Sequence, residues 1–563
     1  MRRRRARAVG RRVEREAGVD MEIAEQRLAE RRGVAAGRPM FGARDGGAGD
    51  ASVPASVLAR RRTGGNGEHE QSQQEADRIG SHSVSPGLRM WRIDRLGSAT
   101  DAIALYSDFN SLQRRTKMKH SLPVVSAVAF ASLAASIAAQ PTLSDDVRSR
   151  WEASCMIRHD KFDYVLPGAM RRNDIDMWIV TDRGRGTQPM TRDFGISTVN
   201  GQNFFIFTDR GGDRIERIQL GRENDLATEC GAYDRFGRFE ELRSIVEERD
   251  PQTIGLNYLA VPYRAEGLHV ADGLTHTDFK FLASELGEKY AARFTSAQHL
   301  IADFRGERVA SEIVEFAKVG DLTRRLLERA LSNEVITPGK TTHNDVARWL
   351  EQKLHDHYLL RGWFPTVYTH LPDGSEIGGT ERVIQRGDVL QIDWGTGRNH
   401  FSTDIKRFAY VLREGETEPP AGVLNTFAES KKVQEIIRKH VRSGRTGREQ
   451  LDELKQILRD AGYVYTELEV AAQDAPGIEV NVGMHGAGNI GHEMAASLFE
   501  IYPERTKYVV RPNSIISLEY IVFMPAEEWD GNKIPINVEE NALITERGIE
   551  WLHPPQARVL VIR

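Results

Sequence analysis

VLQIDWGTGRNHFSTDIKRFAYVL, residues 389–412, decides the reading of this 563-residue chain. Apolar residues recur at alternate positions on either side of a Gly-Thr-Gly-Arg-Asn stretch, which predicts two antiparallel strands joined by a short connection. Asp393 and Asp404 stand on the two arms, and the midpoint between them falls between Arg398 and Asn399. A hairpin centred there sets the two carboxylates directly opposite each other, with Cβ atoms ~5 Å apart. Like charges facing across a ladder repel, so a plain hairpin disfavours the placement. A cation reverses that sign, because it requires both groups deprotonated and convergent. Taken alone, the pair reads equally well as solvated strand charges.

Three residues further on strengthen the cation reading. His485 stands in NVGMHGAGNIGHEM (481–494), where glycines let the backbone approach a site closely. Glu519 lies in the apolar run SIISLEYIVF, where an unpaired carboxylate would be costly. Glu539 lies in PINVEENALIT, another strand-like run. Each glutamate alone reads as a salt-bridge partner. Together with the aspartates they make four carboxylates and an imidazole, and two divalent cations would offset that charge.

The order Asp393, Asp404, His485, Glu519, Glu539 resembles the metallopeptidases of the pita-bread fold, family M24. These comprise methionine aminopeptidases, Xaa-Pro aminopeptidases, prolidases and the non-metal creatinases. The strings DWG with STDIKRF, HGAGNIGHE, SLEYIVFMP and VEENALITERGIEWL carry the resemblance, which covers about residues 305–555. It implies an α+β chain with a pita-bread catalytic domain over 301–563. Ahead of it, DIDMWIVTDR, NFFIFTDR and TIGLNYLA look like a smaller creatinase-like N-terminal α/β domain over 145–300, which favours the proline-directed branch. By the same resemblance Asp393 holds one metal, His485 and Glu519 the other, and Asp404 and Glu539 bridge them. Glu519 shuttles the proton, while His370 and His492 contact substrate. His370, in VYTHLPDG, reads equally well as a surface loop histidine. The implied cofactors are two divalent ions, manganese first, with cobalt, zinc or iron as alternatives.

The implied reaction is hydrolysis of the N-terminal peptide bond of a peptide substrate, as in Xaa-Pro aminopeptidases. The alternatives are a prolidase-like Xaa-Pro dipeptidase, or a non-catalytic peptide-binding module of the same fold. Relatives with the extra domain are often homodimers, and a homodimer is the expectation here. The chain departs from the proline-directed pattern at Asn537, where those enzymes usually carry Arg, and at Asn481, where they tend to carry His. Between the domains, residues 307–331 have apolar positions at helical spacing, and Thr342 with Asp345 predicts a capped helix through DVARWLEQKLHDHYLL.

Composition bounds the rest. Residues 1–117 carry 23 basic against 15 acidic groups, roughly +8, leaving roughly −12 for the remainder. That arginine- and glycine-rich stretch has few apolar runs and reads as disordered or as a mis-annotated extension. No aromatic interleaving or known module accompanies its arginines, so no nucleic-acid partner is expected. From Met118, MKHSLPVVSAVAFASLAASIAAQ has the layout of a signal peptide over 118–139, cleaved after Ala138 or Ala139. The expectation is export, with no membrane association after cleavage. A membrane anchor is the other reading of that stretch. Cys155 and Cys230 are the two cysteines, and the sequence leaves their pairing open.

Overall fold

MWIVTD, NFFIFTD and IERIQL are runs of β-branched and aromatic residues, and they form the strands Met177–Asp182, Asn203–Asp209 and Ile215–Leu220. The computed structural model describes residues 143–184, 188–195, 201–222, 225–261 and 267–563. The chain divides into two compact units, Met1–Ser121 and Leu122–Arg563, and every described residue lies in the second. The expected extension (1–117) and signal peptide (118–139) fall outside the described residues.

The first sheet has six strands. Arg235–Gly237, Ile215–Leu220, Asn203–Asp209, Met177–Asp182, Ile254–Leu256 and Phe294–Ser296 lie side by side in that order. Its central antiparallel pairs are flanked by parallel ones, so the sheet is mixed. Helices pack on both faces, and Met177–Asp182 is buried along its whole length. An aromatic nest fills one side, with ring centroids 5.3 Å apart for Trp178–Phe194 and 5.0 Å for Phe162–Phe207. A disulfide joins Cys155 on the helix Leu143–Asp160 to Cys230 at the end of Asp225–Cys230.

Buried ion pairs connect this region to the second sheet. Arg305 pairs with Asp193 at 2.6 Å and Glu493 at 3.3 Å, and Arg308 with Glu312 at 2.9 Å and Glu493 at 3.5 Å. These charges are largely buried, where mutual pairing, with hydrogen bonds such as those from the Asn489 and Met494 amides to Glu493, offsets their lost hydration. Glu493 directly follows His492, so the network anchors the loop that carries that histidine.

The second sheet has eleven strands. Its path runs Val464–Tyr465, Glu479–Val482, Ser514–Pro525, Lys533–Thr545, Ile405–Val411, Val389–Trp394, Thr366–His370 and Glu376–Gly378. Period-two alternation sorts its residues. Leu390, Ile392 and Trp394, with Ile405, Ala409 and Val411, pack under the helices Ala310–Ala330 and His343–Asp356. Leu518, Tyr520 and Val522 pack under Ala421–His440. The intervening residues, among them Asp393, Asp404, Glu519 and Glu539, face the other way.

Two expectations are corrected. The helix through DVARWLEQKLHDHYLL begins as expected, with Thr342 capping Asp345, but it ends at Asp356. Tyr358 takes a left-handed φ of 52°, and Leu360–Arg361 becomes a short strand against Thr396–Arg398. The second correction concerns the hairpin. Gly397 pairs with Ser402 and Arg398 with Phe401, so the turn is Asn399–His400, one step later than the sequence midpoint. Asn399 has φ 57°, a conformation asparagine accepts more readily than arginine. The residue opposite Asp393 is therefore Lys406, not Asp404. Among the described residues, no helix is long and apolar enough to cross a membrane.

Candidate metal centre

Hydrogen-bond register builds the centre row by row. Across five neighbouring strands, Thr366, Asp393, Lys406, Glu539 and Glu519 are successive ladder partners. Two residues along each of three strands, a second row brings Asp404, Asn541 and Ser517 together, with His485 paired to Ser517. Shifting by two keeps a side chain on the same face, so both rows point to one side of the sheet. The backbone alone gathers all five expected ligands.

His485 occupies the middle. Its Nδ1 donates to the Gly486 carbonyl oxygen at 3.1 Å, which turns the Nε2 lone pair toward the cluster. That Nε2 is buried without a hydrogen-bond partner, 3.8 Å from Asp404 Oδ2, 3.8 Å from Glu519 Oε2 and 3.6 Å from Glu539 Oε1. Those separations are too long for hydrogen bonds. They suit donors that share one cation, each ~2.0–2.2 Å from it. Asp393 Oδ1 is likewise buried without a partner, and Asp393, Asp404 and Glu539 form a second group of converging donors. Hard oxygens and an imidazole aimed at a common point fit divalent cations of the zinc, manganese or cobalt kind.

Lys406 is the functional residue that sequence reading passed over. Its Nζ lies 2.5 Å from Glu519 Oε1, 2.8 Å from Glu539 Oε2 and 3.4 Å from Asp393 Oδ2. Burial alone would lower its pKa, but the surrounding carboxylates hold it well above the ordinary lysine value. Its signal was its spacing, since a residue two after Asp404 on a strand must share that aspartate's face. Burial pushes the Asp393 carboxyl up to about 7, with Glu539 and Glu519 adding to the rise and Lys406 opposing it. Burial and neighbouring carboxylates raise Asp404 and Glu519 as well. Glu539 goes the other way: burial opposes its charge, but Lys406 and His485 hold it below the usual carboxylate range.

The two outer histidines part company. The His492 ring stacks on His485 with centroids 4.0 Å apart, and its Nε2 is 3.5 Å from Asp404 Oδ2. The Tyr502 hydroxyl meets its Nδ1 at 3.0 Å, and the ring remains half exposed. His370 sits opposite Val389, four residues before Asp393, which is ~13 Å along the strand. It is buried, contacts Gln391 Oε1 at 3.1 Å, and has a pKa lowered to about 4 by that burial. The structure gathers His492 with the ligands and leaves His370 at the flank.

Asn481 and Asn537 lie in the row beside Glu519 and Glu539, on either side of Ile521. Asn481 donates to the Thr466 carbonyl at 3.1 Å, while Asn537 Oδ1 is buried without a hydrogen-bond partner. Next to Asp404, the loop glycine Gly491 leaves room for Trp363, because a Cβ there would meet the indole at 2.8 Å and Asp404 Oδ2 at 3.2 Å. Trp363, Arg192, Phe401 and the 489–491 loop line a cleft of about 350 Å³.

Residues 315–546 match the model of metallopeptidase family M24. This domain belongs to that family. Two Xaa-Pro dipeptidases are similar to this chain in sequence. That of Pyrococcus furiosus is 22% identical over 275 residues, covering 47% of this chain and 68% of the relative. That of Pyrococcus horikoshii is 23% identical over 268 residues, covering 46% and 66%. Among solved structures, the X-Pro aminopeptidase of Thermotoga maritima superposes with a TM-score of 0.50 at 17% identity, over 70% of this chain and 99% of its own. At that identity the likeness concerns the fold, and the pita-bread architecture expected for the M24 domain is the one present.

Proposed function

We propose that the chain is a divalent-metal-dependent peptidase that releases the first residue of a peptide, with proline in the second position. The observation that carries this reading is the buried Nε2 of His485, without a hydrogen-bond partner and facing three carboxylates of an M24 domain. His485, Asp404, Glu519 and Glu539 would hold a divalent ion there, and Asp393 extends the donor set toward the second ion expected for the family. A divalent ion in such a site supplies Lewis acidity and hydroxide near neutral pH. Manganese, with cobalt, zinc or iron as alternatives, suits the donors equally.

The protein's own groups do the remaining work. Glu519, with a raised pKa, takes the proton from the attacking water and passes it to the leaving amine. When the Tyr502 hydroxyl donates to His492 Nδ1, Nε2 carries the proton and can donate to the scissile carbonyl oxygen. His370, on its flanking strand, is placed to meet the substrate further from the bond that breaks.

A second reading, an Xaa-Pro dipeptidase, is supported by the names of the two Pyrococcus relatives and by Arg192 in the cleft. A guanidinium there would pair with the C-terminal carboxylate of a two-residue substrate. Metal-stripped protein reloaded with manganese or cobalt, assayed on matched peptides with Pro or Ala second and on Xaa-Pro dipeptides, separates the readings. Cleavage before proline in longer peptides supports the aminopeptidase, cleavage of dipeptides alone supports the dipeptidase, and no metal-dependent turnover overturns both. Export and homodimerisation belong to the same proposal. The Cys155–Cys230 disulfide supports an oxidising compartment, and N-terminal sequencing of the secreted protein should begin after Ala138 or Ala139.

A further inference from the structure

The two glutamates of the centre divide their oxygens. Glu519 gives Oε1 to Lys406 and turns Oε2 toward His485; Glu539 gives Oε2 to Lys406 and turns Oε1 toward His485. Two cation positions result, side by side. One is ringed by His485 Nε2 and single oxygens of Asp404, Glu519 and Glu539. The other, between Asp393, Glu519 and Glu539, holds the ammonium of Lys406. We propose that Lys406 is a built-in cation that stands in for one of the two divalent ions, so that the centre takes up a single divalent ion beside His485. This deepens the metallopeptidase reading above and rests on it.

The placement does not depend on one side-chain rotamer. Register pairs Lys406 with Asp393 on one side and Glu539 on the other, so its side chain leaves the sheet between those carboxylates. The residue is buried, and the period-two alternation that points Asp404 into the site points Lys406 the same way. An ammonium already within hydrogen-bond distance of two glutamates must be displaced, or driven to lose its proton, before a second ion can bind those oxygens. No other charge in the cluster offsets that loss. Charge balance agrees. Four carboxylates with one ammonium and one divalent ion leave a single negative charge, which suits a substrate entering with a positive terminal amine. A second divalent ion would cancel that charge if Lys406 lost its proton and reverse it if Lys406 kept it.

Metal counting on the full-length protein tests this. Metal-stripped protein is equilibrated with excess manganese, desalted and measured by elemental analysis, and its electron paramagnetic resonance spectrum is recorded. Expected are one ion per chain and the six-line spectrum of an isolated ion. Two ions per chain with an exchange-coupled spectrum overturn the proposal and leave the metallopeptidase reading standing. No bound ion overturns that reading and the proposal with it. Lys406→Met keeps the side-chain length without the charge, and should raise uptake from one ion to two. A folded Lys406→Met protein that still binds one shows that the lysine is not what excludes the second. The wild-type count and spectrum stand alone if that variant fails to fold.

Discussion

The two sheets use their faces in opposite ways. In the first, Met177–Asp182 is buried along its whole length, and an apolar cluster packs on each of its faces. In the second, one face packs under helices while the other carries four carboxylates, a lysine and a histidine within a few ångströms. The first sheet spends its sequence on packing. The second divides its sequence by parity, and its chemistry is tolerable only because cations and hydrogen bonds neutralise charges that burial would penalise.

Single substitutions should separate these roles. His485→Ala removes the central donor of the second sheet, and activity should fall ~10²-fold or more, since outer groups around a metal site already cost ~10–10²-fold. Its thermal midpoint without metal should change little, which calorimetry and a peptide-release assay check together. Trp178→Ala in the first sheet should show the reverse: a loss of ~3–5 kcal/mol in denaturant melts, with activity per folded molecule retained. Cys155→Ser with Cys230→Ser should lower stability by ~2–4 kcal/mol, because the bridge closes a loop with a sequence separation of 75.

The second sheet should also respond to pH where the first does not. With Asp393 raised to about 7 by burial, the folded chain keeps a proton that the unfolded chain releases near pH 4. Without metal, this group's contribution to stability therefore falls as pH climbs from about 4 through about 7. The divalent ion beside His485 needs Asp404 ionised, and burial raises that carboxyl as well, so the rise in melting temperature on adding manganese should grow with pH; a rise independent of pH would contradict the assignment. The smallest effect belongs to Thr342→Ala, which removes the helix cap beside the second sheet and should cost about 1 kcal/mol in urea titration.

The candidate ligands that the sheet gathers could be picked out in the sequence because each sits in a short string whose pattern survives on its own: DWG, STDIKRF, HGAGNIGHE, SLEY, VEEN. The strands were legible from alternation, and the cap at Thr342 from its spacing to Asp345. Register was not, because a turn placed one residue later leaves every side chain on the same face. Lys406 was hidden for the same reason, since its importance lies in what stands opposite. The ion pairs of Glu493 with Arg305 and Arg308, and of Arg305 with Asp193, were invisible because the partners are distant in sequence. The end of the helix at Asp356 depended on Tyr358 entering a left-handed conformation that nothing in its composition advertises.

The Asn399–His400 turn has a consequence for how the protein folds. Pairing Asp393 with Asp404 instead of Lys406 differs by two residues, so hydrophobic burial cannot tell the two hairpins apart. Charge can. The slipped hairpin sets two carboxylates face to face, while the native one sets a carboxylate against an ammonium, a contrast of about 1 kcal/mol before any metal arrives. Lys406 thus favours the native ladder over the one slipped by two residues through charge alone, with no ion required.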